Sequence, residues 1–484
     1  MQVDVQTQIS NTRRVGGNMA FSKFLDGMRG EMKELVRELQ PYYKYVSVLA
    51  TDSNTTMYHV DRSTSSVTAG GGMEGECGFV VKVHDGNAFG EYSLSSIAGD
   101  KKALAKKIVG EIALDKVEGA ISCPVPADPV HKESFVRESD FDNYSDDEIL
   151  KFCQDLKADI LSRDDKILNA IIVIHPFVVN KLFISENREL DQHYGWINAY
   201  AIIVYRDEKI AQSVEDVYGN KMKEVFEELP KLVDKLVDKA KHLAKAKQIE
   251  PGVYDIITDS SITGLIAHEA FGHGVEMDQF VKNRALAKEY VGKYVASPIV
   301  NMHDGAAAAF STASYFFDDD GIMAHDTQII KDGILVAGIS DMASAFQLGT
   351  EPTGNGRRQN FAHKAYTRMT NTFFEPGKDK LEDMIKSVKH GYMLFETNNG
   401  MEDPKNWQIQ CTAEYGIEIV DGKLTDNYVS PVVMSGFVPD LLKSISMISD
   451  SAEVIGAGSC GKGYKEWVRV SDGGPCLKAR CKLS

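Results

Sequence analysis

Two histidines with a glutamate beside the first are the residues of this chain best suited to chemistry. The segment over residues 268–273 reads HEAFGH. Two imidazoles can hold a divalent cation, and a neighbouring carboxylate can take a proton from water that the cation activates. The pattern therefore predicts a hydrolytic metal site, with His268 and His273 as metal ligands and Glu269 as general base.

The spacing of the two histidines constrains the backbone that carries them. They stand five residues apart, and on a regular α-helix five residues turn by about 140°, so both rings would not reach one ion. A π-type turn would bring them together, and such turns favour functional sites. Gly272 would permit this distortion, and Gly274 would help to end the helix. We predict a helix that is distorted or ends near Gly272.

The alternative is two unrelated histidines, one on a core face and one at a helix end. Histidine is scarce, with 12 among 484 residues, so a chance match to the pattern is uncommon. The flanking sequence also favours a site. Residues 254–259 have the pattern of a buried strand, Ser260 and Ser261 can cap a helix, and residues 262–267 begin one. A helix that follows a buried strand is a rigid support for ligands.

A third metal ligand is needed, because a catalytic zinc usually takes three protein ligands and leaves one position open. Glu276 and Asp278 are close in sequence, whereas Cys411 and Cys460 are distant. Cys460 lies in the glycine-rich segment 456–462, which ends in a lysine that favours the thiolate, the form that binds metal. On chemistry alone, Cys460 and Glu276 are equally good candidates.

Composition excludes several classes of protein. A length of 484 residues suggests two to three domains. The net charge of −16 argues against a nucleic-acid or anionic-membrane surface, and no apolar run is long enough for a membrane span. The first 20 residues do not resemble a signal peptide. Seven cysteines without a CxxC pair fit a reducing cytoplasm better than a disulfide framework.

Periodicity predicts an α+β fold with two domains, over residues 21–247 and 248–484. Each domain is expected to pack helices on an antiparallel or mixed sheet. The boundary lies where Pro251 and Gly252 end a long amphipathic helix. The expected helices are 21–39, 96–114 and 222–247, the last interrupted at Pro230, and the expected strands include 45–52, 167–174, 178–187 and 198–206. Hairpins are expected over 78–94, 329–336 and 418–424.

Several short motifs in the second half occur in the order found in one protein family. They are HEAFGHGVEMD at 268–278, DDDG at 318–321, DG at 332–333, TGNGRR at 353–358, RMTNT at 368–372 with PG at 376–377, and CGK at 460–462. In these motifs the chain resembles the TldD/PmbA family of metallopeptidases, once called modulators of DNA gyrase. Asp320 stands where the family more often has glutamate, and the tail after Cys460 diverges, leaving Cys476 and Cys481 without a known role.

The resemblance implies a set of roles. His268, His273 and Cys460 would hold one divalent ion, expected to be zinc, and Glu269 would be the catalytic carboxylate. A filled metal motif is typical of the TldD-type subunit, because the PmbA-type (TldE) partner lacks it. The implied activity is hydrolysis of short or unfolded peptides by a cytoplasmic homodimer, or by a heterodimer with a PmbA/TldE-like subunit, without nucleic acid or membrane.

Two competing functions stay open at this stage. One is a non-catalytic binding protein that modulates a partner such as DNA gyrase, and the other is a hydrolase of a non-peptide amide. A protein that only binds has no need of Glu269. We also expect Asn355, Gly356 and Arg358 to contact substrate, because arginine beside a glycine-rich loop can bind a peptide carboxylate. The alternative for Arg357 and Arg358 is a structural role in holding that loop.

Overall fold

The computed structural model describes residues 21–70, 76–114, 124–463 and 466–484. Within these residues the chain forms an eight-stranded sheet, an eleven-stranded sheet and a two-stranded ribbon, all accompanied by helices. The predicted α+β fold is confirmed. No helix in the described part is long and apolar enough to cross a membrane.

The first sheet is built from the N-terminal half of the chain. Its helices are α1 (Lys23–Leu39), α2 (Lys101–Glu111), α3 (Asp146–Ser162), α4 (Met222–Glu228) and α5 (Val233–Leu243). Its strands are β1 (Tyr45–Val60), β2 (Ser65–Ala69), β3 (Glu76–His84), β4 (Phe89–Leu94), β5 (His131–Val136), β6 (Ile167–Ser185), β7 (Arg188–Arg206) and β8 (Ile210–Gly219). Only the pair β5–β7 is parallel among the strand pairs described in this sheet.

Strand β6 corrects the sequence interpretation, because the two strands expected at 167–174 and 178–187 are one continuous strand. Pro176 lies inside it, although proline has no amide hydrogen to donate. The neighbouring register explains this tolerance: β1 pairs with β6 at Phe177 and at Ile174, and skips the positions between them. The proline therefore falls where β1 makes no ladder contact with it.

The helices of this half also differ in detail from the expectation. The expected helix at 96–114 is shorter, because Asp100 caps α2 by accepting from the amides of Lys102 and Ala103. The predicted interruption at Pro230 of the helix at 222–247 is confirmed: a 3-10 segment that contains Pro230 separates α4 from α5, and α5 ends at Leu243, earlier than expected. Proline at the start of the 3-10 segment accounts for the division.

The two faces of the first sheet have different neighbours. Its helices cover one face, where Ile172 and Leu182 of β6 are fully buried. Because alternate residues point to opposite faces, Phe177 and Phe183 face the other way. They pack there against residues of the C-terminal half, including Tyr315 and Phe317. One face of the first sheet therefore supports the second half of the chain.

The second sheet is built from the C-terminal half. Its strands are β9 (Gly252–Thr258), β10 (Met302–Asp304), β11 (Thr327–Lys331), β12 (Ile334–Leu335), β15 (Asn371–Phe374), β16 (His390–Asp403), β17 (Gln408–Val420), β18 (Lys423–Val429), β19 (Val432–Phe437), β20 (Met447–Lys462) and β21 (Glu466–Leu483), and the ribbon is β13 (Gly356–Arg357) with β14 (Tyr366–Thr367). The helices are α6 (Ser260–Leu265), α7 (Met277–Val281), α8 (Met342–Leu348), α9 (Leu381–Lys386) and α10 (Val438–Lys443). The three expected hairpins are confirmed as β3–β4, β11–β12 and β17–β18.

Strand β9 lies between β16 and β21 in the second sheet. It is parallel to β16 and antiparallel to β21, so the sheet is mixed. Each described strand up to Gly219 belongs to the first sheet, and each from Gly252 onward to the second sheet or the ribbon. The domain boundary between residues 247 and 248 falls in the connection between them, and it stays a prediction.

Buried ion pairs join the two halves. The ammonium of Lys82 lies 2.5 Å from Asp320, Lys181 pairs with Asp319, and the guanidinium of Arg358 lies 3.1 Å from Glu91. The acidic turn at 318–321 has the expected glycine at positive φ, with Gly321 at +71°. Its carboxylates nevertheless do more than form a turn, because they bind lysines of the first sheet.

A second group of buried charges lies at the seam where α5 and β8 meet β16 and β17. The ammonium of Lys239 lies 2.9 Å from Glu215 and 2.5 Å from Glu396, and Lys235 lies 2.8 Å from Glu215. Glu414 hydrogen-bonds to Glu396. We call the whole group the seam cluster: it consists of Glu215, Asp216, Asp259, Glu396 and Glu414 with Lys235 and Lys239.

Candidate metal centre

The segment that carries both histidines follows β9 directly. Helix α6 begins at Ser260, and the side chain of Asp259 caps it by accepting from the amide of Ile262 at 2.8 Å. The cap is therefore Asp259, whereas sequence analysis assigned it to Ser260 or Ser261. After α6 the chain forms a π-helix over Ile266–Gly272 and a 3-10 turn over His273–Val275. The predicted distortion is confirmed.

Glycine is required at position 272 for a different reason from the one expected. Its φ of −59° is ordinary for a helix, so the backbone does not need glycine for its conformation. A Cβ at this position would lie 2.1 Å from the sulfur of Met369. The glycine is required because the widened helix packs closely against Met369. Gly274 is also in close contact, since its Cβ would lie 2.8 Å from Oε1 of Glu402.

The widened turn brings both imidazoles to Cys460, which lies near the end of β20. Potential ligand atoms of His268, His273 and Cys460 all lie within 4.8 Å of one another. The Sγ of Cys460 is 3.4 Å from Nε2 of His273, and the two imidazole rings are perpendicular with centroids 5.1 Å apart. Two imidazoles and one thiol at such distances fit the ligand set of a tetrahedral zinc site with one open position.

Glu276 was the alternative third ligand, and it has another position. Its Oε2 lies 3.1 Å from Nδ1 of His273, behind the ring and away from the nitrogen that faces Cys460. A carboxylate bonded to the second nitrogen of a metal-binding histidine is a common supporting arrangement. The geometry therefore favours Cys460 as the third ligand, with Glu276 holding the imidazole of His273 in place.

Electrostatics favour a thiolate at Cys460. Burial would raise the pKa of this thiol, but the imidazoles of His273 and His268 hold the pKa well below its usual value. Burial would lower the pKa of the His268 imidazole, but the nearby Cys460 thiolate outweighs this effect and raises that pKa to about 9. The histidines stabilise the thiolate, whereas sequence analysis assigned this effect to Lys462. A bound cation would take the place of the imidazole protons.

His268 has a looser partner than His273. Its Nδ1 lies 3.9 Å from Oδ2 of Asp472 in β21, which is beyond hydrogen-bond distance. Burial raises the pKa of Asp472 to about 6, and the nearby imidazole of His268 offsets only part of that effect. The space for this carboxylate is created by Gly264, where a Cβ would lie 2.4 Å from Asp472.

Glu269, the predicted general base, is half-buried beneath β16. A Cβ on Gly400 of that strand would lie 2.5 Å from Cγ of Glu269, so only glycine fits above it. A second carboxyl group, Glu402, lies further along β16. Burial raises the pKa of Glu402 well above its usual range; nearby His273 opposes this rise and Glu269 adds to it.

The three residues expected to contact substrate lie in the loop that supports the centre. Asn355 is fully buried and donates to Asp304 and to the carbonyl of Arg368. Gly356 donates its amide to Asp318. The guanidinium of Arg358 is buried against Glu91, although the residue also lines a cavity of about 90 Å³ between the two halves. These contacts favour the structural alternative for Arg358.

Asp472 and Glu402 were missed by sequence analysis. Neither lies in a motif near the histidines, and only the sheet brings β16 and β21 against the π-helix. No sequence signal would have identified them. Glu276 and Lys462 were identified from the sequence, but with other roles. Glu276 was considered as a metal ligand, and Lys462 as the group that favours the thiolate of Cys460.

The C-terminal half of the chain is similar in sequence to known metallopeptidases. Residues 251–480 match the PmbA/TldA metallopeptidase C-terminal domain. A metalloprotease of Methanothermobacter thermautotrophicus is 31% identical over 52% of this chain and 55% of its own length. A TldD homolog of Haemophilus influenzae is 32% identical over 47% of each chain, and a zinc metalloprotease TldD homolog of Saccharolobus solfataricus is 27% identical over 61% of this chain and 66% of its own.

Solved structures extend the likeness in fold to nearly the whole chain. A protein of Thermotoga maritima described as a modulator of a DNA gyrase has a TM-score of 0.74 and 16% identity, and covers 95% of this chain and 100% of its own. TldE from Thermococcus kodakarensis has a TM-score of 0.72 and 18% identity, and covers 94% of this chain and 100% of its own. In sequence, by contrast, the chain spans about half the length of the curated relatives that it matches first.

Proposed function

We propose that this chain is a metal-dependent peptidase of the TldD type that hydrolyses short or unfolded peptides, because residues 251–480 match the PmbA/TldA metallopeptidase C-terminal domain and its relatives include TldD homologs. The observation that carries the proposal is the convergence of His268, His273 and Cys460 beside Glu269. We propose zinc as the bound ion, since two imidazoles and a thiolate form a zinc-type ligand set. The same set suits several other ions of intermediate softness.

The bound ion would act as a Lewis acid towards the peptide carbonyl and would lower the pKa of water at the open position. The residues of the chain then supply the proton transfers. Glu269 follows the first ligand directly in the π-helix, so its side chain leaves the helix in a different direction from that of His268 and stands beside the site without being a ligand. Its carboxylate accepts a proton from the attacking water and delivers it to the leaving amine.

The surroundings of Glu269 support this role. Gly400 lets the side chain of Glu269 pack closely against the backbone of β16, since a Cβ on Gly400 would lie 2.5 Å from Cγ of Glu269. Asn355, Gly356 and Arg358 were expected to contact substrate; of the three, Arg358 lines the cavity between the two halves. We further propose a cytoplasmic protein that works as a homodimer or with a TldE-like subunit, without nucleic acid or membrane partners.

The decisive experiment compares wild type with Glu269→Gln on a peptide library, with metal content measured for both proteins. We expect the variant to keep its fold and metal and to lose hydrolysis by roughly 10²–10⁴-fold, the contribution of a general base. Glu382→Gln, exposed on α9, is the matched control. Full activity in Glu269→Gln with metal bound would refute the mechanism. Metal binding without hydrolysis in wild type, tested with and without a TldE-like subunit, would favour the non-catalytic binding protein.

A further inference from the structure

Lys462 makes an unusually complete set of buried contacts close to the metal centre. It lies two residues after Cys460, at the end of β20, and its side chain is only 9% exposed. Its ammonium donates to Glu276 at 3.0 Å, to Asp278 at 2.8 Å and to the carbonyl of Thr367 at 2.8 Å. An ammonium group has three donors, so every one of them is used.

Glu276 connects this ammonium to one of the metal ligands. The same oxygen, Oε2, contacts Lys462 and lies 3.1 Å from Nδ1 of His273. Burial would raise the pKa of Glu276, but Lys462 and His273 hold the pKa at about 2, so the group is an ionised acceptor. With Nδ1 fixed by this acceptor, Nε2 faces the sulfur of Cys460 at 3.4 Å.

We propose that Lys462 is a positioning residue that couples two metal ligands: from the strand of Cys460 it holds Glu276, and Glu276 fixes the ring of His273. This inference rests on the proposed metal site and deepens it. The series of contacts crosses from β20 to the segment after the π-helix, so a single side chain sets the placement of a thiolate relative to an imidazole. Supporting contacts of this kind typically change metal affinity by roughly 10–100-fold.

A role in folding alone is separable from this one, because another residue anchors the backbone of the same hairpin. Arg368 is fully buried and donates to the carbonyls of Cys460 at 2.6 Å and of Glu466 at 3.0 Å. Loss of the Lys462 ammonium would leave these bonds in place. It would also release Glu276 and His273, so metal affinity should fall in addition to the stability lost by leaving two buried carboxylates unpaired. Glu276→Gln separates the two effects, because it weakens the contact with His273 without leaving an unpaired carboxylate at position 276.

The test is a Co²⁺ titration of the full-length protein after its metal has been removed with a chelator. Cobalt reports both affinity and, through its thiolate absorption band, the geometry around Cys460. We expect Lys462→Met to lower Co²⁺ affinity by roughly 10–100-fold and to alter the band. Glu276→Gln should have a similar effect, and it carries the test if Lys462→Met does not fold. The double variant should be no worse than the more severe single variant, since both act through one contact.

Lys282→Met is the matched control, because Lys282 pairs with the same Asp278 at 3.4 Å but is 45% exposed. It should keep wild-type affinity, and its metal-free form should melt closer to wild type than that of Lys462→Met, which leaves two buried carboxylates without their shared cation. Wild-type affinity and band in both Lys462→Met and Glu276→Gln would overturn the positioning role while the metal site stands. Absence of Co²⁺ binding by wild type would instead overturn the proposed metal site.

Discussion

Two groups of charged residues in this protein differ in their charge balance. Around Lys462, its ammonium and the imidazole of His273 face the carboxylates of Glu276 and Asp278, and the pKa of Glu276 is held at about 2. In the seam cluster, five carboxyl groups face two lysines. Burial and a hydrogen bond with Glu396 raise the pKa of Glu414 to about 8 there, and burial first, then Glu215, raises the pKa of Asp216 to about 6.

The difference shows that burial alone does not decide the protonation of a carboxyl group. Burial raises the pKa in both places, and nearby cations oppose it to different extents. Burial would raise the pKa of Glu276, but Lys462 and His273 bring it below its usual value, whereas burial keeps the pKa of Asp278 above its usual value despite Lys462. Near the metal centre the cations suffice to keep Glu276 ionised, which suits a fixed acceptor for His273. In the seam cluster two lysines cannot neutralise five carboxylates, so Glu414 and Asp216 have raised pKa values and bind protons more readily. The first group is therefore suited to positioning, and the second makes stability depend on pH.

The largest expected effect comes from removing the central cation of the seam cluster. Lys239→Met should destabilise the protein by about 3–5 kcal/mol, because it leaves buried carboxylates of Glu215 and Glu396 without their partner. Metal affinity should be unchanged, since the seam cluster does not touch the ligands. Denaturant unfolding and Co²⁺ titration check the two statements. Lys235→Met is the control, with an effect of at most about 1 kcal/mol, because Lys235 is 58% exposed.

Replacement of Cys460 should have the opposite pattern to Lys239→Met, with a change in metal affinity but not in stability. Cys460→Ser should weaken metal binding by more than the roughly 100-fold upper value for supporting residues, because it replaces a ligand itself. The thiolate absorption band of the Co²⁺ form should disappear, while the unfolding free energy of the metal-free protein changes little. Cys476→Ser, at a half-buried position outside the centre, should leave the band intact. A persistent band in Cys460→Ser would mean that another sulfur binds the ion.

A smaller effect is expected on the side of His268. Asp472→Asn should reduce Co²⁺ affinity by less than about 10-fold, the lower end for supporting residues, because its contact with His268 is an ion pair at 3.9 Å without a hydrogen bond. Glu276→Gln, which removes a contact at 3.1 Å, should have the larger effect. If the order were reversed, the His268 side would be the better supported of the two.

The smallest effect concerns pH. A carboxyl group with a raised pKa keeps its proton longer in the folded state, so the folded protein binds more protons between about pH 4.5 and 8. The unfolding free energy should therefore fall as pH rises through this range. Glu414→Gln should flatten the dependence, as measured by denaturant unfolding at several pH values, whereas Glu382→Gln should not. An equal slope in wild type and Glu414→Gln would remove Glu414 as the cause.

Sequence was sufficient for features that depend on neighbours along the chain. The five-residue spacing predicted the widened helix, and Asp-Gly pairs predicted hairpins such as that at Gly333. It failed where the cause lies in another strand. The continuity of β6 through Pro176 depends on the register of β1. A local prediction also failed. Serine and aspartate are equally good caps, so propensity could not decide that Asp259 caps α6 in place of Ser260 or Ser261.

The site shows the same division. The two histidines and the predicted general base come from one motif, whereas the third ligand could not be chosen between Cys460 and Glu276 on chemistry alone. The imidazole of His273 that lies beside Cys460 is 187 positions away in the chain, so the neighbours of Cys460 cannot be predicted from segment 456–462. Asp472 and Glu402 reach the centre from β21 and β16, which the sheet brings together. Metal ligands and domain boundary remain predictions that the experiments above address.

The π-helix over Ile266–Gly272 has a consequence for how such sites are recognised. A widened turn accommodates one additional residue while the flanking helix keeps its direction. The five-residue spacing is thus equivalent to the four-residue spacing of HExxH metallopeptidases with a single insertion. Pattern searches that fix the interval between ligands would pass over this chain, whereas a search that compares the positions of imidazole nitrogens in space would find it.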